Sequence, residues 1–130
     1  MSWNSFEDIK AWQDARILVR EVYAVTATGA WSRDYGLRDQ IRRTAVSVMN
    51  NIAEGFARGS QAEFRRFLDF SRGSCAEVQS LLYVALDIGY LELSDFQRLR
   101  LMTTAPAAKI AGLAQAISSR LEEPLTVYDD

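Results

Sequence analysis

The stretch from Gln40 to Arg58, Q-I-R-R-T-A-V-S-V-M-N-N-I-A-E-G-F-A-R, carries two helical stripes at once. Ile41, Ala45, Val48, Ile52 and Phe56 recur at spacings of four, three, four and four, which is one continuous apolar face of an α-helix. Arg43, Ser47, Asn51, Glu54 and Arg58 run beside it at nearly the same rhythm. A helix of this kind needs other helices to cover its apolar seam, and a polar row flanks the place where they meet.

Three further segments keep the helical period, and no run alternates as a strand does. The first is expected near residues 5–28. Ser5 with Asp8 three residues on forms a start signal, Ile9, Trp12, Ala15, Leu18, Val22 and Val25 follow, and Gly29 is the expected stop. Trp31 and Tyr35, in the link after it, read as packed plugs. The second helix spans roughly 37–57, ending at Gly55 or Gly59. Ser60-Gln61-Ala62-Glu63 matches a capping box and opens a third helix over 61–89. Its middle, Gly73-Ser74-Cys75-Ala76, is small enough to predict the closest helix approach there. Ser94-Asp95 opens the fourth, over 95–122, with Phe96, Leu99, Met102, Ile110, Leu113, Ile117 and Leu121 as its core stripe. Pro106 removes a backbone donor and predicts a kink or break near Met102 to Ala105, and Pro124 ends the helix. The tail 124–130 carries Leu125, Val127 and Tyr128, available for docking on a neighbouring subunit. The fold class is therefore all-α, a four-helix bundle in one domain over 1–130.

Composition narrows the chemistry. The chain has no histidine, which removes the commonest general base and the Ser-His and Cys-His nucleophile pairs. One cysteine, Cys75, cannot form an internal disulfide, and no ordinary metal-ligand set exists, so neither a metal nor a cofactor is expected. No apolar run approaches the length of about 20 residues that a membrane span needs, and no basic start precedes an apolar stretch. These features point to a reducing, cytoplasmic setting without membrane insertion. An enzyme would have to work through a carboxylate such as Glu54 or Glu77, and the expectation is that the protein is not one.

The net charge of −2 hides an asymmetry. From Arg38 to Arg72, seven arginines face four acids, an excess of +3, whereas from Asp87 to Asp130 seven acids face four bases, giving −3. Arginine suits planar pairing with phosphate or carboxylate. Arg42, Arg43, Arg58, Arg65, Arg66 and Arg72 are thus candidates for a nucleic-acid-binding face, against the plainer reading of solvated helix surface. Arg43, Ser47, Asn51, Glu54 and Glu77 are candidates for a structural polar network that sets helix register.

Y-G-L-R-D-Q-I-R-R-T-A-V-S-V-M-N-N-I-A-E-G-F-A-R at 35–58, E-F-R-R-F-L at 63–68 and G-S-C-A-E-V at 73–78 resemble the bacterial four-helix bundle proteins called 23S rRNA intervening-sequence proteins. The resemblance extends back to K-A-W-Q-D-A at 10–15 and forward to L-D-I-G-Y-L at 86–91. Met49 and Trp31-Ser32 depart from the family's usual pattern, at packing positions. The resemblance implies an antiparallel up-down-up-down bundle assembled as a homopentamer, with no established activity. Distantly similar accessory proteins of diversity-generating retroelements, also pentameric bundles, bind reverse transcriptase and nucleic acid. RNA or a nucleoprotein is the implied partner class, and a scaffold that binds another protein is the alternative.

Overall fold

The computed structural model describes residues 2–122, and within them the chain forms four α-helices with two short 3-10 turns. Helix α1 spans Lys10–Thr26, α2 Tyr35–Ala57, α3 Gln61–Asp87 and α4 Leu93–Leu121. Each helix packs on two others: α2 lies between α1 and α3, and α4 closes the bundle against both α3 and α1. The register along three of these interfaces is reciprocal. Thr44, Ser47 and Val48 of α2 meet Glu77, Ser74 and Ser71 of α3, so one number rises as the other falls. Gln79 and Arg65 of α3 meet Thr103 and Ser118 of α4 in the same sense, as do Asp14 and Glu21 of α1 with Lys109 and Arg98 of α4.

The helix ends follow local chemistry. Asp8 Oδ2 accepts the backbone N–H groups of Asn4 at 2.9 Å and Ser5 at 3.4 Å, but the turn they start lasts only from Phe6 to Asp8. Ile9 is then extended (ψ 119°) and completely buried, so α1 begins at Lys10 rather than near Ser5. It stops at Thr26, three residues before Gly29. Asp34, not part of the expected start of α2, caps that helix by accepting from the Leu37 N–H at 3.2 Å. Ser60 Oγ accepts from the Glu63 N–H at 3.0 Å, as the capping box predicts. Gly89 ends α3 with φ 83°, which lets Tyr90 N–H reach the Ala85 carbonyl at 2.8 Å and Gly89 N–H that of Leu86 at 3.2 Å; the left-handed geometry favours glycine. Helix α4 starts at Leu93, before Ser94-Asp95.

Two packing expectations are corrected. Pro106 does not break α4: it is buried inside a continuous helix, and the Thr103 and Thr104 hydroxyls donate to the carbonyls of Arg100 at 2.6 Å and Leu101 at 2.7 Å in the turn before it. Burial of Leu99, Thr103, Pro106 and Ile110 along one side holds the helix through the missing hydrogen bond. Trp31 is a plug at 1% exposure, but Tyr35 is 63% exposed, with the Arg38 guanidinium 4.7 Å from its ring centroid. Within Gly73-Ser74-Cys75-Ala76, Gly73 faces open space while Ser74 bonds Ser47 across the α2/α3 seam and Cys75 is buried; at Gly55 an added Cβ would stand 2.6 Å from Phe67 Cβ.

Two apolar clusters fill the interior. One joins Ile9, Trp12, Val48, Ile52, Leu68 and Ile110; the other joins Leu18, Val22, Trp31, Ile41, Leu82 and Leu99. Pro124 and the tail beyond it lie outside the described residues.

Candidate functional site

The α2/α3 seam carries the polar row seen in the sequence. Ser47 Oγ and Ser74 Oγ share a hydrogen bond of 2.8 Å across it, and Asn51 Nδ2 donates to the Ser47 carbonyl at 2.8 Å and to Ser47 Oγ at 3.0 Å. One turn earlier, Thr44 Oγ1 donates to Glu77 Oε2 at 3.2 Å. Deeper in the seam, the fully buried Ser71 donates to the Val48 carbonyl at 2.6 Å. Of the five network candidates, Ser47 and Asn51 bond directly, and Glu77 joins the seam through Thr44. Glu54 is exposed and meets Arg58 at 3.5 Å; Arg43 is exposed and makes no ion pair among the described residues. The helix places Glu54 one turn from Asn51, yet on the solvent side of it.

Asn51→Ala is therefore expected to destabilise the protein by about 1 kcal/mol, because Ser47 loses a partner in a half-buried setting. Glu54→Ala should stay within about 0.5 kcal/mol, as surface changes generally do. Thermal melts of the two variants check this, and equal shifts would contradict the assigned geometry.

The six candidate arginines occupy four settings. Arg42 reaches across to the end of α1, donating through Nε to Thr26 Oγ1 at 2.8 Å and through an Nη to the Tyr23 carbonyl at 3.4 Å, with its guanidinium 4.5 Å from the Tyr23 ring centroid. It thereby caps a carbonyl that the helix terminus leaves without a backbone N–H donor and that the Thr26 hydroxyl also reaches, at 3.3 Å. Arg43 stands nearby, at a shallow groove lined also by Tyr23, Asn50, Asn51 and Glu54. Arg58 and Arg66 flank the Phe67 ring at 4.8 and 5.0 Å, and Arg66 also lies 5.3 Å from Phe70. Both meet Glu63: Arg66 as a two-pronged pair at 2.8 and 3.4 Å, Arg58 at 3.7 Å. The hydrogen bond from Arg66 holds the Glu63 carboxyl below its ordinary range. Arg65 pairs with Asp69 and donates through Nε to Ser118 Oγ of α4 at 2.8 Å, and Arg72 is exposed without an ion pair among the described residues.

The structure thus brings Arg42 beside Arg43 and Arg58 beside Arg66, while Arg65 turns toward α4. Three of the six have acidic neighbours and a fourth caps α1. Arginine edges stacked on aromatic rings can bind phosphate or carboxylate in plane.

No carboxylate other than Glu54 lines the Tyr23/Arg43 groove. Among the described residues, no group of three or more His, Cys, Asp or Glu side chains converges to hold a metal ion, and no helix is long and apolar enough to cross a membrane. Cys75 is buried, and desolvation pushes its thiol up to about 11. At pH 8 only about 0.1% would be thiolate, the form that reacts. A thiol reagent should therefore label Cys75 slowly in the native protein and rapidly in denaturant; fast native labelling would contradict its burial.

Several bonding groups escape a sequence reading: Thr44, Ser71 and Ser74 at the seam, and Thr103, which donates to Arg100 and accepts from Gln79 Nε2 at 2.6 Å. Their signal is a hydroxyl residue on or beside an apolar stripe, which is also what a solvent-facing serine looks like.

A family model for the 23S rRNA-intervening sequence protein matches residues 7–112, which covers α1, α2, α3, the seam and all six arginines. The chain belongs to this family. No curated protein matches it. In this 23S rRNA-intervening sequence protein the matched region ends within α4, after Lys109 and Ile110.

Proposed function

We propose that this 23S rRNA-intervening sequence protein is a non-enzymatic cytoplasmic scaffold: a single-domain, antiparallel up-down-up-down bundle that assembles with copies of itself and offers its outer surface to a protein partner. The observation that carries the reading is a set of apolar side chains exposed along one side of α3 and at its C-cap, Ile88. Phe70, Val84 and Ile88 are 47%, 42% and 52% exposed. At 100° per residue they fall within about 40° of one another on the helix, so they form one side and not scattered positions. Gly73 and Glu77 lie along the same line. Exposed apolar side chains on one side of a helix favour association, and the family resemblance suggests a homopentamer.

Light scattering at micromolar concentration tests the assembly. A mass well above the 14.7 kDa of one chain is expected, and Phe70→Ser with Ile88→Ser should reduce it while circular dichroism stays unchanged. A native mass of one chain removes the scaffold reading.

The second reading is RNA binding, favoured by the guanidinium and aromatic grouping of Arg58, Arg66, Phe67 and Phe70. Arg43, Arg66 and Arg72 are the informative positions, since Arg42 and Arg65 also tie helices together and their loss would disturb the fold. Each phosphate contact removed should lower the salt slope of binding by about one. Binding to structured RNA that is equally strong after Arg43→Glu, Arg66→Glu and Arg72→Glu together would remove this reading.

A further inference from the structure

A second apolar surface lies away from α3, in the furrow between α1 and α4, where two hollows open. Trp3, Ile9, Ala11, Gly112 and Leu113 line the first, of about 370 Å³. Ile17, Met102 and Ala105 line the second, of about 180 Å³. Asp14 of the second hollow pairs with Lys109 of the first, so an ion pair stands between them. Ile17 is 45% exposed, and Leu101, next to Met102 on α4, is 68% exposed. Leu101, Ala105, Ala108 and Gly112 are all exposed and fall within about 60° of one another at 100° per residue. No charge interrupts that side of α4, and its small residues let another helix come close.

The charges at the furrow favour one sign of partner. Both acids that α1 turns toward α4 are engaged, Asp14 by Lys109 and Glu21 by Arg98 at 3.3 Å. Lys10, at the first hollow, and Arg20, three residues beyond Ile17, are exposed and make no ion pair among the described residues. An acidic occupant therefore gains pairing that a basic one lacks. The spacing of the hollows selects a helix. Along α4 their centres are about eight residues, or about 11 Å, apart. Residues i and i+7 of a helix are two turns, about 10.5 Å, apart. A strand would need free backbone partners, which helical walls do not offer. The α3 side of a second copy does not match: along it Phe70 and Val84 stand about 21 Å apart, and Val84 and Ile88 about 6 Å.

On the reading that the outer surface takes a protein partner, we propose that the α1/α4 furrow receives an acidic amphipathic helix of that partner, with apolar side chains at i and i+7 in the two hollows and carboxylates toward Lys10 and Arg20. The apolar anchors supply the affinity, and the basic bank of α1 selects acidic helices and sets their orientation. The furrow is separate from Phe70, Val84 and Ile88, so one chain can hold a neighbouring copy and a partner at once.

Fluorescence anisotropy with designed peptides tests it. The acidic probe is a labelled helical peptide of leucine, alanine and glutamate with leucines at i, i+3 and i+7. A basic probe carries lysine at every glutamate, and a third keeps the acidic composition with leucines at i, i+2 and i+5, which no single helix side presents. The acidic probe should bind at least about tenfold more tightly than either of the others at low salt, and its advantage over the basic one should shrink as salt rises. Lys10→Glu with Arg20→Glu should abolish that advantage. Gly112 has nothing within 4 Å of an added Cβ, so Gly112→Leu fills the first hollow without straining the fold, and it should weaken the acidic probe about tenfold at low and high salt alike. Circular dichroism checks the fold of both variants. No binding of the acidic probe, equal affinity of the three probes, or undiminished affinity in Gly112→Leu overturns the proposal. Light scattering separates these results from a failure of the assembly, since both furrow variants should keep the native mass. A fall in mass would assign the furrow to a neighbouring copy and overturn the proposal while the scaffold reading stands. A native mass of one chain with the acidic probe still bound would remove the assembly and leave the furrow assigned.

Discussion

Trp31→Ala is expected to cost about 3–5 kcal/mol, the range for emptying a buried aromatic site. Trp31 sits in the short turn Ala30–Arg33 between α1 and α2, an irregular segment in which large side chains are usually dispensable. Here it is 1% exposed, belongs to the same cluster as Leu18, Val22, Ile41 and Leu99, and stacks on Tyr90 with centroids 6.0 Å apart and planes 29° from parallel. Its removal would open a cavity where the α1/α2 link meets the α3/α4 turn. Tyr90 also donates its hydroxyl to Asp34 Oδ2 at 2.9 Å, which ties the same turn to the N-cap of α2. Rigid helix ends on both sides limit collapse into the space. Tyr35→Ala, four residues away, should change stability by no more than about 0.5 kcal/mol, since Tyr35 is mostly exposed. Urea unfolding of both variants reads the difference; similar midpoints would mean that Trp31 does not hold the core as described.

The second large effect is a change of sign between two glycines. In a helix interior, Gly→Ala stabilises by about 1 kcal/mol through propensity alone. Gly73→Ala should realise that gain, because nothing lies within 4 Å of the new Cβ. Gly55→Ala should instead destabilise by about 2 kcal/mol net. Its Cβ would stand 2.6 Å from Phe67 Cβ and 3.2 Å from Phe64 Cδ1. Phe67 Cβ is fixed to the α3 backbone and cannot swing aside, so α2 and α3 must part, and overpacking of this kind costs about 1–3 kcal/mol or more before the propensity gain is subtracted. Melting temperatures that moved the same way in both variants would contradict the assigned approach. Separation of α2 from α3 would also strain the Ser47 to Ser74 hydrogen bond, so amide exchange along the seam should quicken in Gly55→Ala.

The residues themselves determined what depends on neighbours in the chain. Ile41, Ala45, Val48 and Ile52 form a helix face because their spacing repeats with the helix turn, and burial of all four follows once any apolar partner covers that face. Ser60 followed by Glu63, and Gly89 after Leu86, mark helix ends because their donors and acceptors lie within one turn. The four helices, and the placing of Ser47 and Asn51 in one polar row, were legible for this reason. The tertiary structure decided what depends on distant residues. Whether a glycine is a contact point or an open position is a matter of which helix lies opposite, so Gly55 touches Phe67 while Gly73 touches nothing. Burial along one side of α4 overrides the local preference of Pro106 to interrupt it. Glu54 and Asn51 share a helix, but the position of α3 puts Ser74 against Ser47, the partner of Asn51, and leaves Glu54 in solvent beside Arg58. The arginines divide for the same physical reason. A charge excess counted along the chain becomes a surface only where the packing of helices brings the charges together, and here neighbouring helices direct Arg42 to the end of α1, Arg65 to Ser118 and Arg58 onto Phe67, which Arg66 meets on its own helix.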